Sequence, residues 1–153
     1  MRAADLAQQR CSIARPAALL GDRWTLVILR QAFSRTRRFE DFQSQLGISR
    51  SLLSDRLGKL VDAGIMRREP YKDEVRTREE YRLTEKGLDL YPVLMALREW
   101  GDKHMATDGP PIEVHHRDCG GEIRTGLRCD SCGEEVGPRD AEVSAGPGLK
   151  QPA

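Results

Sequence analysis

The sequence is short of several things. Aromatic residues make up 5% of it, cysteines number four, the formal net charge at neutral pH is +1, and no run of apolar residues reaches the ~18 that a bilayer-spanning helix needs. Each shortage excludes something. Without a long apolar run there is no helical membrane span, and the opening MRAADLAQQR lacks the apolar core of a signal peptide, so the chain is expected in the cytoplasm. Thiols there are kept reduced, so Cys11, Cys119, Cys129 and Cys132 are read as thiols or metal ligands before disulfides. No glycine-rich loop cradles a phosphate, no nucleophile stands with a base and its orienter, and no metal site leaves room for water, so nothing supports an enzyme. A net charge near zero says nothing by itself for nucleic acid.

What is present is unevenly spread. Residues 1–108 hold 20 Lys and Arg against 16 Asp and Glu, residues 109–153 hold 5 against 8, and residues 10–60 hold 10 against 4. A basic body therefore carries a mildly acidic tail, and local charge steers a polyanion more than the total does. At 153 residues and 39% hydrophobic, the chain has room for one ordinary domain plus a small appendage.

Residues 1–10 read as a short, loosely held arm. Ser12 to Leu20 predicts a short helix, with Pro16 near enough to its start to be tolerated, ended by Gly21-Asp22. WTLVILRQAF (24–33) is apolar almost all round and predicts a central buried helix. Beyond the polar connector SRTRR, Phe39, Phe42 and Leu46 fall at helical spacing and predict a helix over 39–46. Gly47-Ile48-Ser49 is a turn, and the Ser49 hydroxyl suits the N-cap of a helix with Leu53, Leu57 and Leu60 inward and Gly64 just past its end. IMRREPY (65–71) and EYRL (80–83) predict two strands around the exposed hairpin tip KDEVRTR. Thr84 caps a last helical region striped by Leu88, Tyr91, Leu94, Leu97 and Trp100, with Pro92 as a kink. Gly109-Pro110-Pro111 is a linker, residues 109–137 include a compact cysteine-bearing unit, and residues 138–153 are expected to be disordered. No internal repeat is visible. The predicted class is α+β, mainly α: a winged helix-turn-helix over residues 11–108 with extra flanking helices, followed by a small cysteine-rich C-terminal unit.

On the helix after Ser49, the side opposite Leu53 carries Ser51, Asp55, Gly58 and Asp62, flanked by Ser54 and Lys59, with Arg50 and Arg56 at the two edges. Small hydroxyls let a helix sink into a major groove about 12 Å wide. Flanking cations meet phosphates and set the register. Asp55 can accept from cytosine N4 or hold Arg56 or Lys59 in place. Gly58 gives up roughly 1 kcal/mol of helix propensity, which a close backbone approach would justify. Arg76 and Arg78 on the wing suit a minor groove or the backbone. The plainer alternative is a solvated helix face and a solubilising loop.

CSIARPAALLGDRWTLVILRQAF, RRFEDFQSQLGISRSLLSDRLGKLVDAGIMRRE and EYRLTEKGLDLYPVLMALREWG resemble the HxlR-type transcriptional regulators, small bacterial winged-helix proteins related in architecture to the MarR type. The likeness covers roughly residues 11–105. It implies a homodimer joined through the first and last helices and bound to a pseudo-palindromic operator, with repression as the expected mode. The chain departs from the family pattern at Arg50 and Ser51, where a proline and a long polar residue are usual, at Asp55, where Gln is common, and in a wing without prolines. An apolar stripe of Leu90, Val93, Leu94, Leu97 and Trp100, longer than a domain of this size covers with its own core, agrees with a dimer seam. A protein-interaction adaptor built from the winged domain and the cysteine unit is the alternative function.

Cys11 sits just before a helix, where backbone N–H groups, Arg10 and Arg15 favour a thiolate. The resemblance implies a sensor of oxidants or electrophiles, a small-molecule or electrophile inducer being its partner. The other reading is a small hydrophobe at the dimer seam. In HHRDCGGEIRTGLRCDSCGEEV, His116-x2-Cys119 and Cys129-x2-Cys132 form a pair of pairs, each arm ending in Cys-Gly. Three thiolates and an imidazole suit a tetrahedral, structural Zn²⁺ in a zinc-ribbon-like unit, with His115 a possible substitute for His116. A Cys129–Cys132 redox pair and a metal-free remnant are the alternatives.

Overall fold

The structure is a computed structural model, and it describes residues 3–72 and 76–149. Residues 73–75, part of the expected hairpin tip, lie outside the described residues, as do the last four of the expected disordered tail. The elements run α1 (Ala3–Ala7), α2 (Ala14–Leu20), α3 (Arg23–Phe33), α4 (Phe39–Leu46), α5 (Arg50–Asp62), β1 (Met66–Lys72), β2 (Thr77–Leu83), α6 (Glu85–Leu88) and α7 (Tyr91–Met105). This is a winged helix-turn-helix: α4 and α5 joined by a tight turn, then an antiparallel two-stranded wing.

Local chemistry explains most boundaries. Asp22 caps α3 by accepting from the Trp24 N–H. Gly47 ends α4 at φ +61°, a left-handed conformation that lets the chain reverse within three residues. Ser49 caps α5, its hydroxyl accepting from the Leu52 N–H at 3.4 Å. Gly64, at φ +69°, follows the end of α5. Thr84 caps α6 by accepting from the Gly87 N–H, and its own hydroxyl donates to the Gly64 carbonyl at 2.6 Å. Gly87 is buried there, and a Cβ on it would lie 2.2 Å from the Ile65 carbonyl oxygen, so only glycine allows that approach.

The core gathers Ile28 and Leu29 of α3, Phe42 of α4, Ile48 of the turn, Leu53, Leu57 and Leu60 of α5, and Ile65, Met66 and Tyr81 around the wing. Tyr81 is pinned by its N–H donating to the Arg37 carbonyl at 2.8 Å, and Arg38 forms an isolated bridge with Glu80, so the connector before α4 lies along β2.

Several expectations need correction. The arm before Cys11 contains a turn of helix, α1. Helix α3 is amphipathic rather than apolar all round: Thr25, Ile28 and Leu29 are buried, Trp24, Leu26 and Val27 are half-buried, and Arg23 and Arg30 are exposed, because α2, α4 and β2 cover only part of its circumference. Strand β2 begins at Thr77, so Arg78 lies in the strand, paired in register with Tyr71, and not on the tip. Pro92 does not kink a continuous helix. The chain breaks at Asp89–Leu90, and Pro92 is the second residue of α7, where its missing N–H removes no helical bond.

By packing, the chain divides into two compact units, residues 1–91 and 92–153. In the second, no described residue is buried. It comprises nearly all of α7, a cysteine-bearing segment with two isolated bridges, and an extended stretch with a single 3-10 turn at Pro147–Leu149. Inside this unit, Glu99 of α7 accepts from the Thr125 N–H at 2.6 Å and from its hydroxyl at 2.5 Å, which holds the Glu99 carboxyl below its usual range.

Candidate nucleic-acid interface

Three leucines position the site. Leu53, Leu57 and Leu60 are fully buried, so the orientation of α5 is fixed from beneath. Ser51, Ser54, Asp55, Lys59 and Asp62 consequently stand exposed on the other side, with Arg50 exposed at the helix start. The half-buried Gly58 has open space around it: an added Cβ would meet nothing within 4 Å.

The charged groups on this face are organised in two ways. Asp55 accepts from Lys59 Nζ at 2.8 Å and also from Arg56, and both contacts hold its carboxyl below the ordinary range, Lys59 having the larger effect. Arg50 places its guanidinium over the Phe39 ring, 5.0 Å from the centroid, so α4 orients the first residue of α5. Arg56 points elsewhere. Its Nε and Nη2 donate to the two carboxylate oxygens of Asp22 at 2.8 and 2.9 Å, with the arginine side chain 18% exposed. This bidentate clamp ties the start of α3 to the middle of α5. The guanidinium, aided by the Trp24 N–H, holds the Asp22 carboxyl below its usual range.

On the wing, Arg76 is exposed, while Arg78 is half-buried and paired with Glu40 of α4 at 3.5 Å. Arg38 lies over the Tyr71 ring at 4.8 Å. The structure thus gathers Ser49, Arg50, Ser51, Ser54, Asp55 and Lys59 on one helix surface, directs Arg56 to Asp22, and places Arg78 against α4. Two residues outside the sequence-derived set, Asp22 and Phe39, prove to position members of it. The sequence marked Asp22 only as part of the Gly21-Asp22 break between two helices.

Cys11 is exposed, not buried by its own chain. Its thiol lies 3.4 Å from the Ala14 N–H, and the N–H groups of Ala14 and Ile13, with Arg15 nearby, lower its pKa from the ordinary thiol value. The tail donors stand two by two. His116 Nδ1 is 3.2 Å from Cys119 Sγ, and Cys129 lies against Cys132. Among the described residues, no three His, Cys, Asp or Glu side chains are grouped closely enough to hold a metal.

The profile of the family described as HxlR-like helix-turn-helix matches residues 19–108. The chain belongs to this family. As an HxlR-like protein it is a transcriptional regulator of helix-turn-helix fold, for which DNA is the partner. It is similar to an HTH-type transcriptional regulator of Mycobacterium tuberculosis, with 44% identity over 140 residues, 91% of this chain and 88% of that protein. Among solved structures it resembles the transcription factor PA1607, with a TM-score of 0.82 and 37% identity over 92% of this chain and 98% of the other. It also resembles the redox regulator HypR in its reduced form, with a TM-score of 0.55 and 26% identity over 61% of this chain and 92% of that one. The first two matches span too much of the chain to leave out the cysteine-bearing segment. No helix among the described residues of this HxlR-like chain is long and apolar enough to cross a membrane.

Proposed function

We propose that the protein is a repressor that binds a pseudo-palindromic operator as a homodimer, with the outward side of α5 in the major groove and the wing on the flanking backbone or minor groove. The observation that carries this reading is the contrast on α5, where three fully buried leucines sit beneath an uncovered polar side. Ser51 and Ser54 reach base edges. Arg50 and Lys59 meet phosphates, and Arg76 follows the wing. Asp55 reads cytosine N4 only by exchanging its present partners. Arg56 acts through Asp22, keeping α5 at the angle the groove requires. The dimer seam is α7, where Val93, Leu97 and Trp100 are each about half exposed, at 51%, 49% and 56%, and no residue is buried. Large apolar side chains left uncovered along one helix fit a second copy better than solvent.

Cys11 is the switch in this reading. Its exposed, acidified thiol reacts with oxidants or electrophiles and lowers operator affinity. HypR, a redox regulator, supports this by likeness of fold.

Selection of bound fragments from random DNA, repeated with oxidised protein, tests the proposal. Inverted half-sites about 10 bp apart, or a multiple of that, are expected, with affinity falling steeply as salt rises and weaker binding after oxidation. Gly58→Ala separates groove from solvent. In the free protein it stabilises α5 by up to about 1 kcal/mol, yet operator affinity should fall because the methyl group holds the backbone away from the bases. Enrichment of no sequence, with salt-independent binding, contradicts the reading.

A further inference from the structure

In the cysteine-bearing segment the two donor pairs read from the sequence sit on a repeated backbone. In its first arm the Ile123 N–H donates to the Val114 carbonyl at 3.0 Å, the His116 N–H to Gly121 at 2.8 Å and the Gly120 N–H to His116 at 2.8 Å. In the second arm, Val136 donates to Leu127 at 3.0 Å, Cys129 to Glu134 at 3.0 Å and Gly133 to Cys129 at 2.8 Å. One constant offset converts every bond of the first set into one of the second. It also carries the bridge His115–Glu122 onto Arg128–Glu135, and Gly120, at φ +71°, onto Gly133, at φ +74°. The two arms are copies of one tight turn closed by a left-handed glycine.

The same offset takes His116 to Cys129 and Cys119 to Cys132. From this correspondence we propose that the segment binds one structural zinc ion through the His116 imidazole and the thiolates of Cys119, Cys129 and Cys132. Each turn presents two donors side by side. In the second turn the backbone N–H groups of Ser131 and Cys132 aim at the Cys129 sulfur, as a thiolate ligand requires. In the first, the Cys119 sulfur lies in ordinary contact distance of Gly121, where a Cβ would stand 3.4 Å from it. His115 is not the fourth ligand: its counterpart is Arg128, and its ring is engaged by the Gly120 carbonyl at 3.1 Å and Glu113 at 3.2 Å.

No described residue of the unit is buried, and two hairpins each reduced to an isolated bridge do not hold themselves together in water. Four ligands from two turns cross-link them, and the binding free energy becomes folding free energy. Three thiolates and one imidazole complete a tetrahedron, which favours zinc and leaves no position for a substrate. Since the donors stand as two pairs, loading draws the turns together. Metal binding by these two turns does not depend on whether α5 contacts DNA.

The test uses the full chain, purified under reducing conditions without chelator. Elemental analysis is expected to find near-equimolar zinc, and replacement by cobalt(II) should give visible absorption bands of tetrahedral cobalt with a thiolate charge-transfer band in the near ultraviolet. Cys119→Ser, Cys129→Ser, Cys132→Ser and His116→Ala should each lose zinc and these bands, while His115→Ala keeps both. His116→Cys should retain zinc with a stronger charge-transfer band, which separates loss of a ligand from general misfolding. Metal-free wild type whose tail thiols all titrate freely, before and after zinc is supplied, overturns the proposal. Zinc that persists in the serine variants also overturns it, as an ion bound elsewhere. Loss in His115→Ala with retention in His116→Ala overturns the assignment of the fourth ligand.

Discussion

Residues 3–91 bury eleven apolar residues, seven of which are large and almost wholly inaccessible, whereas residues 92–149 bury none. Both stretches have defined turns, caps and ion pairs, so polar contacts do not distinguish them. Removal of apolar surface from water does, and it is the dominant favourable contribution to folding. The first unit therefore carries the means of its own stability and can hold a helix face rigid against solvent. The second has no such core, and the second copy along α7 and the ion between the two turns proposed above would supply what it lacks.

The largest effect should come from the core. Leu57→Ala is expected to destabilise the first unit by about 2–5 kcal/mol, whereas Leu127→Ala, at a site 71% exposed, should change stability by no more than about 0.5 kcal/mol. Denaturant unfolding of both variants checks this. Equal effects would erase the contrast. Next comes the link between α3 and α5. Arg56 lowers the Asp22 carboxyl pKa in the folded protein, so the pair adds stability that is present above the unfolded carboxyl value and is lost as pH falls through the depressed folded value. Wild type should lose more stability on acidification than Asp22→Asn does, read from melting temperatures between pH 6 and pH 3. Within the first unit a smaller effect than that of the core is expected at the helix start: Ser49→Ala should cost about 1 kcal/mol and Ser49→Asp much less, because the aspartate also caps.

Much of the first unit could be read from the chain because its signals are local. The leucines at 53, 57 and 60, the cap at Ser49, the glycines at 47 and 64 and the cap at Thr84 each act within a few residues, and the structure places them as expected. The length of β2 was not legible. At its far end Thr77 and Glu79 are exposed and the half-buried residue between them is the charged Arg78, so no apolar alternation marks them as strand. The coverage of α3 was not legible either, since composition does not tell how much of a helix its neighbours reach. At the site, the outward serines followed from helical geometry. The partner of Arg56 did not, because Asp22 is 34 residues away and no periodicity joins them. The repeat in the tail was legible only in part. The two donor pairs and their Cys-Gly steps were legible from spacing, but that the backbone hydrogen bonds and the glycine conformation repeat with them is not carried by the letters.

On the proposed function, the polar side of α5 faces a duplex. Amide resonances of the isotope-labelled full chain, followed during titration with an operator duplex recovered by selection, test it most directly. The account predicts that the largest perturbations fall on residues 49–59 and on Arg76 of the wing, with Leu53, Leu57 and Leu60 keeping their buried environment. Perturbations confined to other surfaces, with the amides of Ser51, Ser54 and Lys59 unmoved at saturation, would contradict it.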